Sequence, residues 1–273
     1  MIVLPALPPL AAAVLGPVVA GGVWRAGMLS TSGAIAAAIL GSFSAIAGLD
    51  WMVLLLTFFG TSVALGRVGR AEKQRRSAGV IEKSGARDAR QVLANGGLFG
   101  LGAFLAADGT GSTAAAAVAL GALASATADT WGTEIGMLSK RAPRSILTWG
   151  PLEPGMSGGV SAQGLVATVG GACSIAILAY ALDWPASVSV GAAVGGLIGA
   201  MSDSVLGATL QQRRRSTRTG RLTERLAEAD GTPTVLAGGL RWLDNDGVNF
   251  VSTLIGAGTA FQVHFLFSML PSP

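Results

Sequence analysis

The dominant pattern of the chain is a series of long apolar stretches separated by polar segments of varying length. A transmembrane helix needs about 20 mostly apolar residues to cross the hydrocarbon core of a bilayer. About eight stretches of that kind occur along the sequence, near residues 4–23, 31–48, 50–66, 92–107, 112–130, 161–181, 186–206 and 247–269. The pattern therefore predicts an all-α, polytopic membrane protein with about eight transmembrane helices.

The composition agrees with a membrane protein and excludes several other classes. Of the 273 residues, 51% are hydrophobic and only 12% are charged, about half the charged fraction of a soluble domain. The apolar content also excludes a disordered chain. A single Cys, Cys173, and a single His, His264, exclude an intramolecular disulfide and a Cys/His metal site. Because His264 lies in an apolar run, we interpret it as a packing or membrane-facing residue.

The charged residues predict an orientation. All 19 Lys and Arg residues follow odd-numbered stretches, whereas the segments after even-numbered stretches contain only Asp50, Asp108 and Asp183 as charged residues. The positive-inside rule places the odd segments in the cytosol and both termini outside. The net charge of +4 then reflects the cytosolic surface and indicates no nucleic-acid partner. The high ratio of Arg to Lys and the high Ala content indicate a GC-rich genome, and hence a bacterial inner membrane.

We expect residues 1–273 to form one integral-membrane domain, with cytosolic loops near 67–91, 131–160 and 207–246. The helices that rise from the cytosol start alike, with a small or polar residue and Gly before an apolar run, as in TSGAIAAAILG from Thr31 and NDGVNFVSTLIGA from Asn245. The returning helices also share endings, such as SVALG from Ser62 and DSVLG from Asp203. These similarities predict a parallel two-helix repeat.

Acidic residues near the ends of apolar helices are costly and indicate function. Asp129 and Asp203 each lie about 17 residues after the start of a returning helix, which predicts a similar depth near the cytosolic surface. Two converging carboxylates suit Mg²⁺, which prefers oxygen ligands. Glu134 is about 140° round the helix from Asp129, so it shares the site only if the helix breaks near Gly132. The alternative is that each Asp marks the lipid boundary or pairs with an Arg.

The loop Pro151–Gly164 is a second candidate, because its glycines interrupt a regular helix and it leads into free helix N–H groups. Such a loop can hold a phosphate, although any loop that enters a Gly-rich helix looks similar. Its candidate binding residues are Gly155, Ser157, Gly158, Gly159 and Ser161.

Other polar positions extend the candidate site. Arg87, Arg90 and Lys73 are placed to neutralise phosphates. For the basic residues from Arg67 to Arg76 the favoured interpretation is a solvated loop that fixes the topology. The Arg-rich stretch after residue 212 is predicted to be a mobile loop or an interfacial helix without a chemical role. Further candidate binding residues are Gln91, Asn95, Thr130, Ser204, Gln211, Asp246 and Asn249.

Five motifs together identify a resemblance to a family of integral-membrane proteins that includes plant phytyl-phosphate kinase and the animal transmembrane protein 19. In chain order they are GARDARQVLANG from Gly85, SATADTWGTEIG from Ser125, PGMSGGVSAQG from Pro154, SDSVLGATLQ from Ser202 and NDGVNF from Asn245. The resemblance extends from about Ser30 to Ala260. It departs in FFGTSVALGRVGRAEK, where only Lys73 matches the family pattern.

The resemblance implies a prenyl-phosphate kinase that transfers a phosphoryl group from a nucleoside triphosphate, with CTP as the expected donor, to phytyl phosphate or a similar isoprenoid monophosphate. On this hypothesis Asp129, Asp203 and Glu134 hold Mg²⁺, and the loop around Ser157 to Ser161 binds phosphate. Arg87 and Arg90 offset developing charge, and Asn95 and Asn249 bind substrate oxygens. The prenyl tail lies between helices.

Two other functions remain open at this level: a CTP-dependent lipid-phosphate cytidylyltransferase and a secondary transporter. A non-enzymatic scaffold would not explain why acidic and amide groups gather on one face of the membrane. A carrier site is expected near the membrane midplane in inverted repeats, unlike these carboxylates. The expected partners are an isoprenoid phosphate, a nucleoside triphosphate and membrane lipids, and the sequence leaves the oligomeric state open, a homo-oligomer included.

Overall fold

The computed structural model describes residues 8–80, 85–228 and 230–270. Within these ranges the chain forms nine helices and five short strands. The helices are α1 Pro9–Arg25, α2 Thr31–Ala47, α3 Leu49–Arg67, α4 Arg70–Arg76, α5 Ala89–Ala107, α6 Thr113–Gly136, α7 Ala162–Ala181, α8 Ala186–Thr209 and α9 Asn245–Ser268. The strands are β1 Arg144–Ser145, β2 Gly159–Val160, β3 Arg213–Arg215, β4 Leu222–Thr223 and β5 Val235–Gly238.

Each of the eight predicted apolar stretches corresponds to a helix, and the start of the first stretch, at residue 4, lies outside the described residues. Four helices, α3, α7, α8 and α9, are long and apolar enough to cross a membrane, and α1 and α2 are shorter apolar helices. The helical membrane-type architecture is therefore confirmed. The count of eight spans and the parallel repeat stay predictions.

The predicted helix starts have a common physical basis. The helices α2, α5, α7 and α9 follow Ser30, Asp88, Ser161 and Asp244, and each of these side chains accepts a hydrogen bond from the backbone N–H three residues later. This cap satisfies one of the free N–H groups at a helix start. The same chemistry therefore begins all four rising helices.

The helix α6 forms the centre of the bundle and packs against α3, α5, α7, α8 and α9. Nearly all its residues from Ala117 to Ala128 are buried, because their small side chains let neighbouring helices approach closely. A Cβ atom at Gly121 would lie 2.6 Å from the carbonyl oxygen of Gly256 on α9, so this crossing requires glycine. Larger side chains fill the core toward the other end, where the Trp51 ring lies 5.3 Å from Phe99 and 4.9 Å from Trp184.

The four polar segments that follow the odd-numbered stretches gather at one end of the bundle, which we call the loop face. It consists of residues 26–30, 68–80, 85–88, 137–161, 210–228 and 230–244 among those described. Three hydrogen bonds between segments hold it together: Ser30 N to Arg87 O at 3.0 Å, Arg76 Nη1 to Met137 O at 2.8 Å, and Glu224 N to Val80 O at 2.9 Å.

The Arg-rich segment after α8 differs from its prediction. Its described residues form no helix, and β3 pairs with β4 and β5 in an antiparallel sheet of order β4-β3-β5. A turn from Ser216 to Gly220, where Gly220 has φ +70°, reverses the chain. The Thr234 hydroxyl accepts from Arg214 Nε at 2.7 Å and so joins β3 to the residue before β5. Backbone pairing between the three strands and the Arg214–Thr234 hydrogen bond thus give the segment its sheet structure.

Candidate functional site

A polar cavity of about 350 Å³ lies at the loop face. It is enclosed by the last turns of α6 and α8, the starts of α7 and α9, and the loop before α7. Eleven of the predicted site residues line it: Gln91, Asp129, Glu134, Gly155, Ser157, Gly158, Gly159, Ser161, Asp203, Ser204 and Asp246. The structure therefore brings together residues that the sequence spreads over more than 150 positions.

Asp129 and Asp203 face this cavity from neighbouring helices, six or seven residues before the ends of α6 and α8. Both are partly buried, and they lie close enough for their charges to interact. Asp203 Oδ2 accepts a hydrogen bond from Ser252 Oγ at 3.1 Å, which orients the carboxylate from α9. The pair is therefore placed near one end of the bundle rather than at its middle.

Glu134 lines the same cavity although α6 is continuous through Gly132 to Gly136. Because α6 does not break, Glu134 borders the cavity without joining Asp129 and Asp203 in a metal-holding group of three acidic side chains among the described residues. Glu134 Oε2 accepts a hydrogen bond from Lys73 Nζ at 2.7 Å, and Lys73 Nζ also donates to the carbonyl of Leu65 at 2.6 Å. Lys73 is thus a buried partner of Glu134.

The loop before α7 has the backbone that its glycines suggest. Gly155 and Gly158 have φ values of +92° and +82°, a region that side chains disfavour. Gly158 also packs against α8, where a Cβ atom would lie 2.7 Å from Cα of Ala208. Ser161, which also lines the cavity, caps α7 by accepting a hydrogen bond from Gly164 N at 3.1 Å. The loop is held in one shape against two helices.

One amide of this loop already binds an anionic oxygen. Ser157 N donates to Glu224 Oε1 at 2.9 Å. Glu224 lies beside β4, is buried at 7% exposure and interacts electrostatically with Asp203. A backbone N–H that pairs with a carboxylate inside a cavity is also suited to a phosphate oxygen.

Several residues of the wall were not predicted from the sequence. Glu224 was missed because it lies in the segment that was interpreted as a loop or helix without a chemical role. Arg76 was interpreted as part of a topology-fixing loop, yet it lines the cavity and donates to Met137 O. The missed polar wall residues are Arg76, Thr133, Ser139, Arg141, Thr168, Glu224, Asp244 and Asn245.

A second, smaller cavity of about 90 Å³ lies between α1, α2, α3 and α5 and is mostly apolar. Three predicted site residues, Arg87, Asn95 and Thr130, line this cavity instead of the polar one, and Gln91 lines both. The predicted site residues are thus divided between two adjacent cavities.

The structure places four predicted site residues outside both cavities: Lys73, Arg90, Gln211 and Asn249. Lys73 contacts the site through Glu134. Arg90 Nη2 instead pairs with Asp244 Oδ2 at 2.9 Å on the exposed surface of the loop face. Gln211 is 2% exposed, and Leu206 O accepts a hydrogen bond from its backbone N. These positions follow from local packing that sequence spacing does not reveal.

The chemistry of the polar cavity fits a cation more closely than a bare anion. Six carboxylates line it and only two arginines, Arg76 and Arg141. In the described part of the chain, no three His, Cys, Asp or Glu side chains form a group that could hold a metal ion, so the predicted three-carboxylate site is not preformed. Asp129 and Asp203 are two carboxylates of this cavity that could contribute to Mg²⁺ binding, because Mg²⁺ is usually bound through one or two carboxylates with substrate phosphates and water.

Comparison with known proteins identifies the family. The chain matches the family described as Integral membrane protein DUF92 over residues 14–257. It is 32% identical over 252 residues to Protein PGR of Arabidopsis thaliana, covering 83% of this chain and 86% of that protein. An uncharacterized membrane protein of Methanocaldococcus jannaschii is 31% identical over 186 residues, covering 68% and 76% of the two chains.

A more distant relative is an uncharacterized membrane protein of Synechocystis, which is 27% identical over 227 residues, covering 80% of this chain and 76% of that protein. No solved structure matches the chain at a significant level. The family match includes all five motifs together with Asp129 and Asp203, so the resemblance inferred from the motifs is confirmed. The chain belongs to the DUF92 family of integral membrane proteins.

Proposed function

We propose that this protein is a membrane-embedded kinase that transfers the γ-phosphoryl group of a nucleoside triphosphate, with CTP as the expected donor, to an isoprenoid monophosphate such as phytyl phosphate. One observation supports the proposal most strongly. The carboxylates Asp129 and Asp203 line the same cavity as a glycine-rich loop, and the Ser157 amide of that loop donates a hydrogen bond to a carboxylate oxygen. Phosphoryl transfer needs these two features more than it needs a covalent nucleophile.

The electrostatics of the cavity support a metal-bound nucleotide. Six carboxylates line one cavity and repel a free triphosphate. The repulsion between these negative charges is strong because water has only limited access to the cavity and screens them poorly. On this proposal Asp129 and Asp203 hold Mg²⁺, which when bound neutralises charge on the donor phosphates. Arg76 and Arg141, at the wall of the same cavity, add positive charge for the remaining phosphate oxygens.

The transfer requires no proton acceptor. An ionised oxygen of the acceptor monophosphate attacks the γ-phosphorus, and the bond from that phosphorus to the β,γ-bridging oxygen breaks. The nucleoside diphosphate leaves and the acceptor becomes a diphosphate. The residues of the chain therefore need only bind, align and shield the two phosphates.

Labelled nucleotide tests the reaction directly. Purified protein in detergent with Mg²⁺ is incubated with geranylgeranyl monophosphate and CTP labelled at either the α or the γ phosphate. Label from the γ position in a prenyl diphosphate is expected. Label from the α position in the lipid would instead establish a cytidylyltransferase. Absence of label in any lipid product, with each nucleoside triphosphate tried, would overturn the enzyme proposal and favour transport.

A pair of matched variants tests the carboxylate role. Asp203→Asn should lower turnover at least about 100-fold, because it removes one metal-binding charge, and should also weaken Mn²⁺ binding measured by electron paramagnetic resonance. Asp183→Asn makes the same chemical change at an exposed residue with φ +65°, at the opposite end of the bundle, and should alter neither quantity. Loss of folded protein in Asp203→Asn alone would indicate a structural carboxylate.

A further inference from the structure

The apolar cavity between α1, α2, α3 and α5 has a polar end and an apolar body. Apart from Arg87, Gln91, Asn95 and Thr130, every residue that lines it is apolar or glycine. Three of the four polar residues lie at or before the first two turns of α5, on the side of the loop face, and the fourth follows Asp129 on α6. A molecule that fits this cavity therefore has a polar head at the loop face and an apolar body inside the bundle.

Arg87 determines the charge of that head. Its guanidinium lies over the Phe59 ring, 5.9 Å from the centroid. In the described part of the chain this guanidinium makes no hydrogen bond and no ion pair, although Glu134 acts on it electrostatically from a distance. Burial lowers the pKa of Arg87 from its usual value, and the negative charge of Glu134 raises it. A desolvated guanidinium without a hydrogen-bonding partner is a binding group for a planar or tetrahedral oxyanion.

The two cavities are adjacent at this polar end. Gln91 lines both, and Thr130 in the apolar cavity directly follows Asp129 in the polar cavity. A phosphate held by Arg87 would thus be presented toward the space that Asp129 and Asp203 face. An acceptor phosphate at the boundary between the two cavities would be close to a nucleotide bound in the polar cavity, as direct phosphoryl transfer requires.

We propose that the apolar cavity is the acceptor-lipid subsite, and that it binds the isoprene unit next to the phosphate of an isoprenoid monophosphate while Arg87 and Gln91 bind the phosphate. The assignment rests on the proposed function, and it adds the position of the acceptor, the residues that recognise it and the part of the lipid that is recognised. The proposed occupant is a lipid with an anionic head and a single hydrocarbon chain.

The size of the cavity limits what it recognises. An apolar cavity of about 150 Å³ accommodates the six carbons of one benzene molecule, so about 90 Å³ has room for roughly four carbon atoms, which is most of one five-carbon unit. The rest of the chain extends outward past α1 and α3, whose side chains Val18 and Leu56 are exposed on the outer surface of the bundle. The enzyme therefore discriminates the unit nearest the phosphate and tolerates different total chain lengths.

A photoaffinity experiment tests the subsite without requiring turnover. A geranylgeranyl monophosphate analogue with a diazirine on its first isoprene unit is crosslinked to the full-length protein in nanodiscs, and the adducts are mapped by mass spectrometry. We expect adducts on α1 near Val19 to Val23, on α2 near Ala37 to Gly41, and on α3 near Leu55 to Phe59. Adducts confined to α7, α8 or α9 would overturn the assignment.

Competitors distinguish the source of the anionic head. Unlabelled geranylgeranyl monophosphate should suppress the adducts. Two other competitors should suppress them at least about tenfold less effectively: geranylgeraniol, which lacks the phosphate, and dioleoyl phosphatidate, which carries two chains. Equal suppression by phosphatidate would identify a general phospholipid contact and overturn the proposal. Specific adducts without label transfer from CTP would retain the lipid subsite and reject the kinase.

Two variants with matched controls complete the test. Ala20→Leu fills the cavity from α1, and should reduce crosslinking at least about fivefold, while Ala11→Leu makes the same change on the exposed face of α1 and should have no effect. Arg87→Gln should weaken competition by geranylgeranyl monophosphate about tenfold or more without changing that by geranylgeraniol. Unchanged crosslinking in both Ala20→Leu and Arg87→Gln, in folded protein, would contradict the assignment.

Discussion

At the scale of single residues, two ion pairs of similar chemistry differ in burial. Lys73 and Glu134 have side-chain exposures of 7% and 24%, whereas Arg75 and Glu72 have exposures of 78% and 42%. Removing one member of a buried ion pair leaves the other charge without a partner in a poorly solvated place, which destabilises the fold. Removing one member of an exposed pair costs little, because water solvates the remaining charge. Lys73 therefore stabilises the fold and positions Glu134, although it does not line either cavity.

Removal of Lys73 should be costly. We expect Lys73→Met to lower the free energy of unfolding by about 3 kcal/mol, at the low end of the range for buried pairs because Glu134 is partly exposed. Arg75→Met, in the same short helix, should change it by less than about 1 kcal/mol. Urea or thermal unfolding in detergent measures both variants. Equal effects would mean that the Lys73 pair is solvated.

At the scale of elements, the site depends on how the loop before α7 meets α8 and the sheet after it. Gly158 lies against Ala208, and Ser157 pairs with Glu224 from the β-sheet segment. The contact between Gly158 and Ala208 leaves no room for a side chain at residue 158. The contact between Ser157 and Glu224 occupies an amide that could otherwise bind an anion. These two contacts predict separable effects on stability and on nucleotide binding.

Gly158→Ala should destabilise the protein by about 3 kcal/mol or more, because a left-handed backbone and a steric clash act together. Gly220→Ala isolates the backbone contribution, since Gly220 has φ +70° but no atom lies within 4 Å of the position that a Cβ would take there. That variant should cost about 1–2 kcal/mol. Unfolding in detergent compares them. Similar losses would indicate that the loop moves away from α8 readily.

Glu224→Gln should tighten the binding of Mg²⁺-CTP about fivefold, because a neutral amide is a weaker competitor for the Ser157 N–H and the cavity loses one negative charge. Glu153→Gln, an exposed carboxylate that pairs with Arg221 outside the cavity, should leave the dissociation constant unchanged. Equilibrium dialysis with labelled CTP provides the measurement. Weaker binding in Glu224→Gln would show that this carboxylate helps to hold the nucleotide complex.

At the scale of the whole molecule, the polar segments lie together at the loop face and the three connections α2–α3, α5–α6 and α7–α8 are short. A membrane protein with this arrangement exposes nearly all its Lys and Arg residues on one side. The side on which the loop face lies decides whether a soluble nucleotide from the cytosol reaches the polar cavity.

Cysteine labelling tests that orientation. In a Cys173→Ser background, Thr148→Cys and Thr217→Cys lie on the exposed loop face, and Thr110→Cys and Asp183→Cys are exposed at the opposite end. We expect a membrane-impermeant maleimide to label the last two in intact cells and the first two only after permeabilisation, because basic segments remain cytosolic. The reverse pattern would place the loop face outside. Mixed labelling within either pair would contradict the arrangement of the helices.

Periodicity and charge predicted much of the fold because they reflect local physics. Apolar stretches must form helices to satisfy their backbone in a bilayer, so each of the eight corresponds to a helix, and the predicted ends that fall on described residues differ from the observed ones by at most six residues. The similar depth of Asp129 and Asp203 followed from helix rise alone. The starts predicted for two rising helices, at Thr31 and Asn245, lie directly after the capping residues Ser30 and Asp244.

The sequence by itself determined that the protein is helical, that it belongs in a membrane and that carboxylates and a glycine loop lie toward one end. Only the tertiary structure decided which side chains share a space. It brought Glu224 and Arg76 to the polar cavity from distant loops, turned Arg90 outward and assigned Arg87 to a separate apolar cavity. Such choices depend on helix rotation and loop packing, which arise from contacts between residues far apart in the chain and leave no local pattern in the sequence.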